Sequence, residues 1–90
     1  MKISQQKINK ISEQILLFLY NKFPNQPFTS EIAKEIARDE EFIKKLLFNL
    51  KTKGLLISIK KNHKGILFSR RIKWRLSNKT YEAYKNYQNN

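Results

Sequence analysis

Up to Lys53 the apolar residues of this chain recur at helical spacing, and beyond Gly54 they alternate. That change of period divides 90 residues into a helical first half, a two-stranded segment and a short return to helix. Over 5–22, Ile8, Ile11, Ile15, Phe18 and Leu19 fall on one helix face, with Ser4 as N-cap and Pro24 as stop. A helix over 30–37 follows, capped by Thr29 or Ser30, with Ile32, Ala33 and Ile36 inward. A third helix is expected over 40–53, with Asp39 as N-cap and Gly54 supplying the left-handed residue that closes many helices. Its core face carries Ile43, Leu47 and Leu50, while Lys44, Lys45, Phe48 and Thr52 point broadly the other way. Leu55 to Lys61 then reads as a strand and 62–65 as a turn. Ile66, Phe68, Arg70, Ile72, Trp74 and Leu76 alternate as a second strand, giving a hairpin over 55–76, although the pairing within 66–71 stays open. Ser77 caps a last helix over 78–88, in which Tyr81 and Tyr84 face one way.

A chain this short has room for one core, so 1–90 is expected to form one domain. Only two glycines and two prolines argue against disorder and against a turn-rich all-β protein. With no cysteine, neither disulfides nor thiolate metal sites can support the fold. The apolar run Ile15 to Tyr20 is too short to span a bilayer, so the expected protein is soluble and intracellular.

The net charge is +12, and its placement says more than its size. Six of the seven acids lie at or before Glu41, and only Glu82 follows. Between Lys44 and Lys79 stand twelve Lys or Arg and no acid. So one-sided a distribution favours a polyanion partner, nucleic acid first and an anionic membrane surface second. An enzyme is not expected: there is one histidine, no glycine-rich phosphate loop and no carboxylate pair beside a nucleophile. His63, being alone, cannot build a histidine metal site, and no metal or other cofactor is implied.

Three segments carry a resemblance to a known family. Glu31-Ile-Ala-Lys-Glu-Ile-Ala37 resembles the second helix of the winged helix-turn-helix domains of MarR, ArsR and PadR-type regulators. Ile43 to Leu50 followed by Gly54-Leu55-Leu56 resembles their recognition helix running into the first wing strand. Trp74-Arg-Leu-Ser-Asn-Lys-Thr80 resembles the return strand and the start of the last helix. The match spans Gln5 to Tyr87 and implies an α+β, mainly α fold: a three-helix bundle, a β-hairpin wing and a C-terminal helix. It further implies a sequence-specific duplex DNA-binding protein that regulates transcription, with the third helix in the major groove and the wing on phosphates or the minor groove. Carried over by position, Lys44, Lys45 and Asn49 face the groove. Lys60, Lys61, His63, Lys64, Arg70 and Arg71 form the wing, with Lys73 and Arg75 at its base. Such a protein would be cytoplasmic, and nucleoid-associated when bound.

Two features depart from that pattern. Asp39, Glu40 and Glu41 suit the dipole at the start of the third helix but repel phosphate, which shifts the expected contact to the middle of the helix and to the wing. Phe48 lies outward, where a thymine methyl, the underside of the wing or a protein partner could meet it. Phe42, Leu46 and Phe48 beside the three acids are also compatible with a protein assembly module acting through the third helix. The charge alone would equally suit a non-specific DNA-coating protein of replication or packaging, or an RNA-binding winged helix. Trp74 reads as core and Tyr81, Tyr84 and Tyr87 as a helix-packing stripe. The second apolar face of the first helix, Leu16, Leu17 and Tyr20, either packs on the last helix or joins Tyr81 and Tyr84 in a two-fold interface; a homodimer is slightly favoured.

Overall fold

The computed structural model describes residues 3–68 and 70–88. The elements are α1 (Gln5–Lys22), α2 (Thr29–Ile36), α3 (Glu40–Thr52), β1 (Leu56–Ile59), β2 (Lys73–Leu76) and α4 (Asn78–Gln88). Local chemistry accounts for most of the boundaries. Ser4 Oγ accepts from the Lys7 amide at 3.2 Å, and Asp39 Oδ2 accepts from the Phe42 amide at 3.2 Å. Each satisfies one of the backbone donors that a helix start leaves free. At the far end of α3, Gly54 adopts φ 81°, its N–H donates to Lys51 O at 2.9 Å, and Leu55 N–H donates to Leu50 O at 3.0 Å. This paired closure turns the chain sharply into β1.

α2 closes in the same way, but with alanine in the glycine position. Ala37 has φ 59°, its N–H donates to Lys34 O at 3.2 Å, and Arg38 N–H donates to Ala33 O at 3.1 Å. A side chain in the left-handed region crowds its own carbonyl. Ala37→Gly is therefore expected to stabilise the fold by about 0.5–1 kcal/mol. In a thermal melt that is a rise of roughly 3–6 °C for a domain of this size. A fall would mean that the turn between α2 and α3 is not left-handed at this residue.

Neither Thr29 nor Ser30 caps α2. Thr29 is the first helical residue and is buried; its hydroxyl accepts from the Trp74 indole N–H at 2.8 Å. The strand β2 draws this segment out of capping geometry. Thr29 N–H donates to Ile72 O at 3.1 Å, Trp74 N–H donates to Pro27 O at 2.9 Å, and Phe28 bridges Lys73 antiparallel. β2 thus has a neighbour on both edges, β1 on one and the segment 27–29 on the other. The start of α2 is left to Glu31, whose carboxylate accepts from Phe28 N–H at 3.4 Å.

The second strand is much shorter than its alternating pattern suggests. β1 and β2 pair antiparallel as Leu56↔Leu76, Ile57↔Arg75, Ser58↔Trp74 and Ile59↔Lys73. Continued, that register would set Lys60 opposite Ile72, yet Lys60 O accepts from Phe68 N–H at 2.8 Å and Lys61 bridges Leu67. The return chain therefore leaves the ladder between Phe68 and Ile72, and Arg70 within that excursion has φ 54°. Beyond it the hairpin tip closes on Asn62, whose Oδ1 accepts from the amides of Lys64 at 2.9 Å and Ile66 at 3.0 Å.

The core lies where α1, α2, α3 and the two strands meet. Ile15, Ile32, Ile43, Leu47 and Trp74 are fully buried, with Ile11, Leu19, Leu50, Leu56 and Leu76 around them. Phe48 sits half-buried with its ring edge-on to Trp74, centroids 5.2 Å apart. α4 begins with Ser77 Oγ accepting from Thr80 N–H at 3.3 Å. It is held to α1 by aromatic contacts: Tyr20 lies 5.3 Å from Tyr81 and 5.8 Å from Tyr84, and Phe23 lies 4.3 Å from Tyr81. Burial raises the Tyr84 pKa above the usual tyrosine value, and the Glu13 carboxylate adds to the rise. Leu16 is buried as well, so of the residues considered for a two-fold interface, Leu17 alone stays exposed. Tyr20, Tyr81 and Tyr84 are half-buried where they pack on one another within one chain. No helix among the described residues is long and apolar enough to cross a membrane.

Candidate nucleic-acid interface

The residues expected to meet DNA stand on α3 and on the hairpin that follows it. Lys44, Lys45 and Asn49 are exposed on α3; Lys60, Lys61, His63, Lys64, Arg70 and Arg71 are exposed on the hairpin. The structure does not gather them into one surface. Lys44 and Asn49 are about 140° apart around the helix axis. Lys44 turns towards the hairpin, where it borders a cleft of about 450 Å³ with Lys60, Arg70, Arg71, Leu67, Phe68 and Ile72. Lys45 and Asn49 instead border a separate hollow against α1, together with Gln5, Ile8, Phe42 and Lys53.

The cleft between α3 and the hairpin is the more strongly electrostatic of the two. Four cations line it and no carboxylate does. Next to it a smaller recess of about 60 Å³ opens at the start of α2, lined by Thr29, Ser30, Lys44, Arg70 and Arg71, with Glu40 at its side. Glu40 is thus the acid that any phosphate approaching Lys44 would meet. Glu41, the other acid in the first turn of α3, is exposed too.

Two aromatic rings, 40 positions apart in the chain, hold the root of the hairpin. Phe28 and Phe68 meet edge to face at 5.4 Å. The Arg71 guanidinium lies 3.7 Å from the Phe28 centroid, and Lys73 Nζ lies 5.1 Å from the centroid of each ring. A cation over a ring face gains about 0.5–1 kcal/mol where solvent reaches it, enough to bias Arg71 towards one orientation with its N–H edge free. Phe28 and Arg71 are 43 positions apart, so nothing in local spacing announces the contact. Arg75 takes a different course from the one expected of it. Its Nη1 donates to Leu76 O at 2.9 Å and to Asn78 Oδ1 at 3.2 Å, which ties it to the start of α4 and away from the hairpin.

Three helices, a hairpin whose first strand packs on the third of them and whose return strand packs on the first, and a fourth helix make a recognisable arrangement. Residues covering 93% of this chain superpose on an apo mutant of ZitR from Lactococcus lactis, with a TM-score of 0.70. The chain has a winged-helix fold, the one seen in ZitR, a zinc-responsive MarR family member. The sequence identity in that comparison is 19%. MepR of Staphylococcus aureus is similarly close in its DNA-binding conformation, with a TM-score of 0.71 and 20% identity over 93% of this chain. MepR in complex with DNA gives a TM-score of 0.72 at 20% identity, again over 93% of this chain and 68% of MepR. The winged helix described here spans 58% of that ZitR chain and 62% of MepR in its DNA-binding conformation. No protein-family profile matches the sequence, and no curated protein does. In this fold the hairpin formed by β1 and β2 is the wing, and α3 is the helix that precedes it.

Proposed function

We propose that this chain is a duplex DNA-binding regulator of transcription, a binding protein and not an enzyme. The observation that carries the reading is the acid-free cleft between α3 and the wing, lined by Lys44, Lys60, Arg70 and Arg71. A sugar-phosphate strand passing between a helix in the major groove and a wing on the neighbouring minor groove would run there. The likeness to MepR, which has been solved on DNA, supports the same reading. α3 enters by its middle, because Glu40 and Glu41 hold its first turn away from phosphate. Of the α3 residues expected to face the groove, Lys44 borders the cleft while Lys45 and Asn49 lie on another side of the helix, so Lys44 is the α3 cation that this reading uses. Such a role places the protein with the DNA, in the cytoplasm. The packing of Phe48 on Trp74 weakens an assembly role through α3, since the ring on which it would rest is half-buried under the wing.

The test is fluorescence anisotropy of a labelled random 30-base-pair duplex titrated across a salt series. With about six phosphates neutralised, log affinity should fall against log salt with a slope of roughly −5. Selection from a randomised duplex pool should then yield a preferred site that outcompetes random duplex. Absence of binding at low salt would sink the reading, and binding without a preferred site would recast the chain as a DNA-coating protein.

A further inference from the structure

The wing carries an exposed apolar pair, the second member of which borders the cationic cleft. Ile66 is 61% exposed and Leu67 65%, the most exposed aliphatic side chains among the described residues. They follow directly on a turn that is tightly closed. Asn62 N–H donates to Ile66 O at 2.8 Å, Gly65 N–H donates to Asn62 O at 2.9 Å with Gly65 at φ 82°, and Asn62 Oδ1 takes two further amides. Lys61 bridges Leu67 just below. Both side chains therefore stand near the end of the hairpin, between its closed turn and Phe68. The next residue, Phe68, is half-buried against Phe28 and anchors the ribbon from beneath. Around the pair stand Lys60, Lys61, His63, Lys64 and Arg70. The shape is that of a braced, apolar-edged blade in a cationic setting.

We propose that Ile66 and Leu67 act as a wedge, entering the minor groove and prising apart a base step while the surrounding cations hold the phosphates. The proposal rests on the DNA-binding reading and adds to it a deformation of the duplex. A contiguous pair of exposed aliphatics marks a contact surface, and its cationic surround selects a partner that is anionic outside and apolar within. Duplex DNA meets both conditions, because the stacked base faces are the apolar surface behind the phosphates. Architectural proteins that insert aliphatic side chains between base steps kink the duplex towards the major groove. A lipid surface has the same general chemistry but asks for more apolar area: even one myristoyl chain binds membranes only marginally, and two aliphatic side chains offer less. The wedge would favour pyrimidine–purine steps, TA above all, which unstack most easily. Selectivity at the wing would thus arise from deformability, without a hydrogen bond to any base.

The experiment uses duplexes in which 2-aminopurine replaces adenine in turn at each TA step, with donor and acceptor dyes at the ends. Wild-type protein should raise 2-aminopurine fluorescence at one step and shorten the end-to-end distance. The Ile66→Ser/Leu67→Ser variant should lose both signals and bind about tenfold more weakly, with the salt slope unchanged because no cation has been removed. Its melting temperature should match that of the wild type, since both side chains are exposed and surface changes of this kind are nearly neutral. Binding by the wild type with no unstacking at any step overturns the wedge and leaves the DNA reading standing. A variant that still unstacks the duplex overturns the assignment to these residues. Failure of the wild type to bind duplex at low salt overturns both. Capture of the wild type, and not the variant, by vesicles containing phosphatidylserine, in the absence of unstacking, would give the pair to lipid instead.

Discussion

Trp74→Ala is expected to cost about 3–5 kcal/mol, the largest loss of stability that a single substitution should cause here. The indole is wholly buried, it meets Phe48 in a T-shaped contact, and its N–H donates to Thr29 Oγ1 at 2.8 Å. Alanine would leave a void between α3 and β2 and would remove the partner of a buried hydroxyl at the same stroke. For a domain this small, each kcal/mol moves the melting temperature by about 4–8 °C. A far-UV circular dichroism melt should therefore show a drop of at least roughly 12 °C, or no folded baseline at all. Tyr87→Ala is the matching control, because that ring is 78% exposed and its loss should change stability by no more than about 0.5 kcal/mol. Equal melting of the two variants would show that Trp74 is not the centre of the core.

The largest effect on binding should come from Arg70→Glu/Arg71→Glu. Both arginines line the acid-free cleft and the recess at the start of α2, so the double reversal places two carboxylates where a phosphate strand is expected. Affinity for duplex at moderate salt should fall by about 100-fold or more, and the magnitude of the salt slope by about 2. Loss of Arg71 should also loosen the wing root, because its guanidinium lies on the Phe28 ring. Lys85→Glu, near the end of α4, makes the same kind of charge change on another element and should leave affinity within about threefold of the wild type if binding is local. A loss as large as that of the arginine pair would point to net charge, and not to the wing, as the source of affinity.

The helical half of the chain was legible because its signals are local. Ser4 and Asp39 cap through amides three residues on, Gly54 closes α3 through a bond back to Lys51, and the core stripe of α3 follows from the 3.6-residue period alone. Charge is equally local to the sequence: the acid-free stretch from Lys44 to Lys79 is a property of composition, and it points to a polyanion without any knowledge of the fold. Tertiary structure decided the rest. The alternation from Ile66 to Leu76 left open how much of 66–71 pairs, and only Lys73–Leu76 joins the ladder, with residues 27–29 paired to the other edge of β2. The same pairing took Thr29 from capping α2 and gave its hydroxyl to Trp74, 45 residues away. It also set Phe28 beneath Arg71 and Lys73, and so built the root of the wing. Tyr20 meets Tyr81 and Tyr84 for a like reason, since α4 returns to α1 and brings together rings about 60 residues apart in the chain. Periodicity and caps act over at most about four residues along a helix. Which backbone edge wins a strand, and which ring finds a cation, depends on segments that only the closed core brings together.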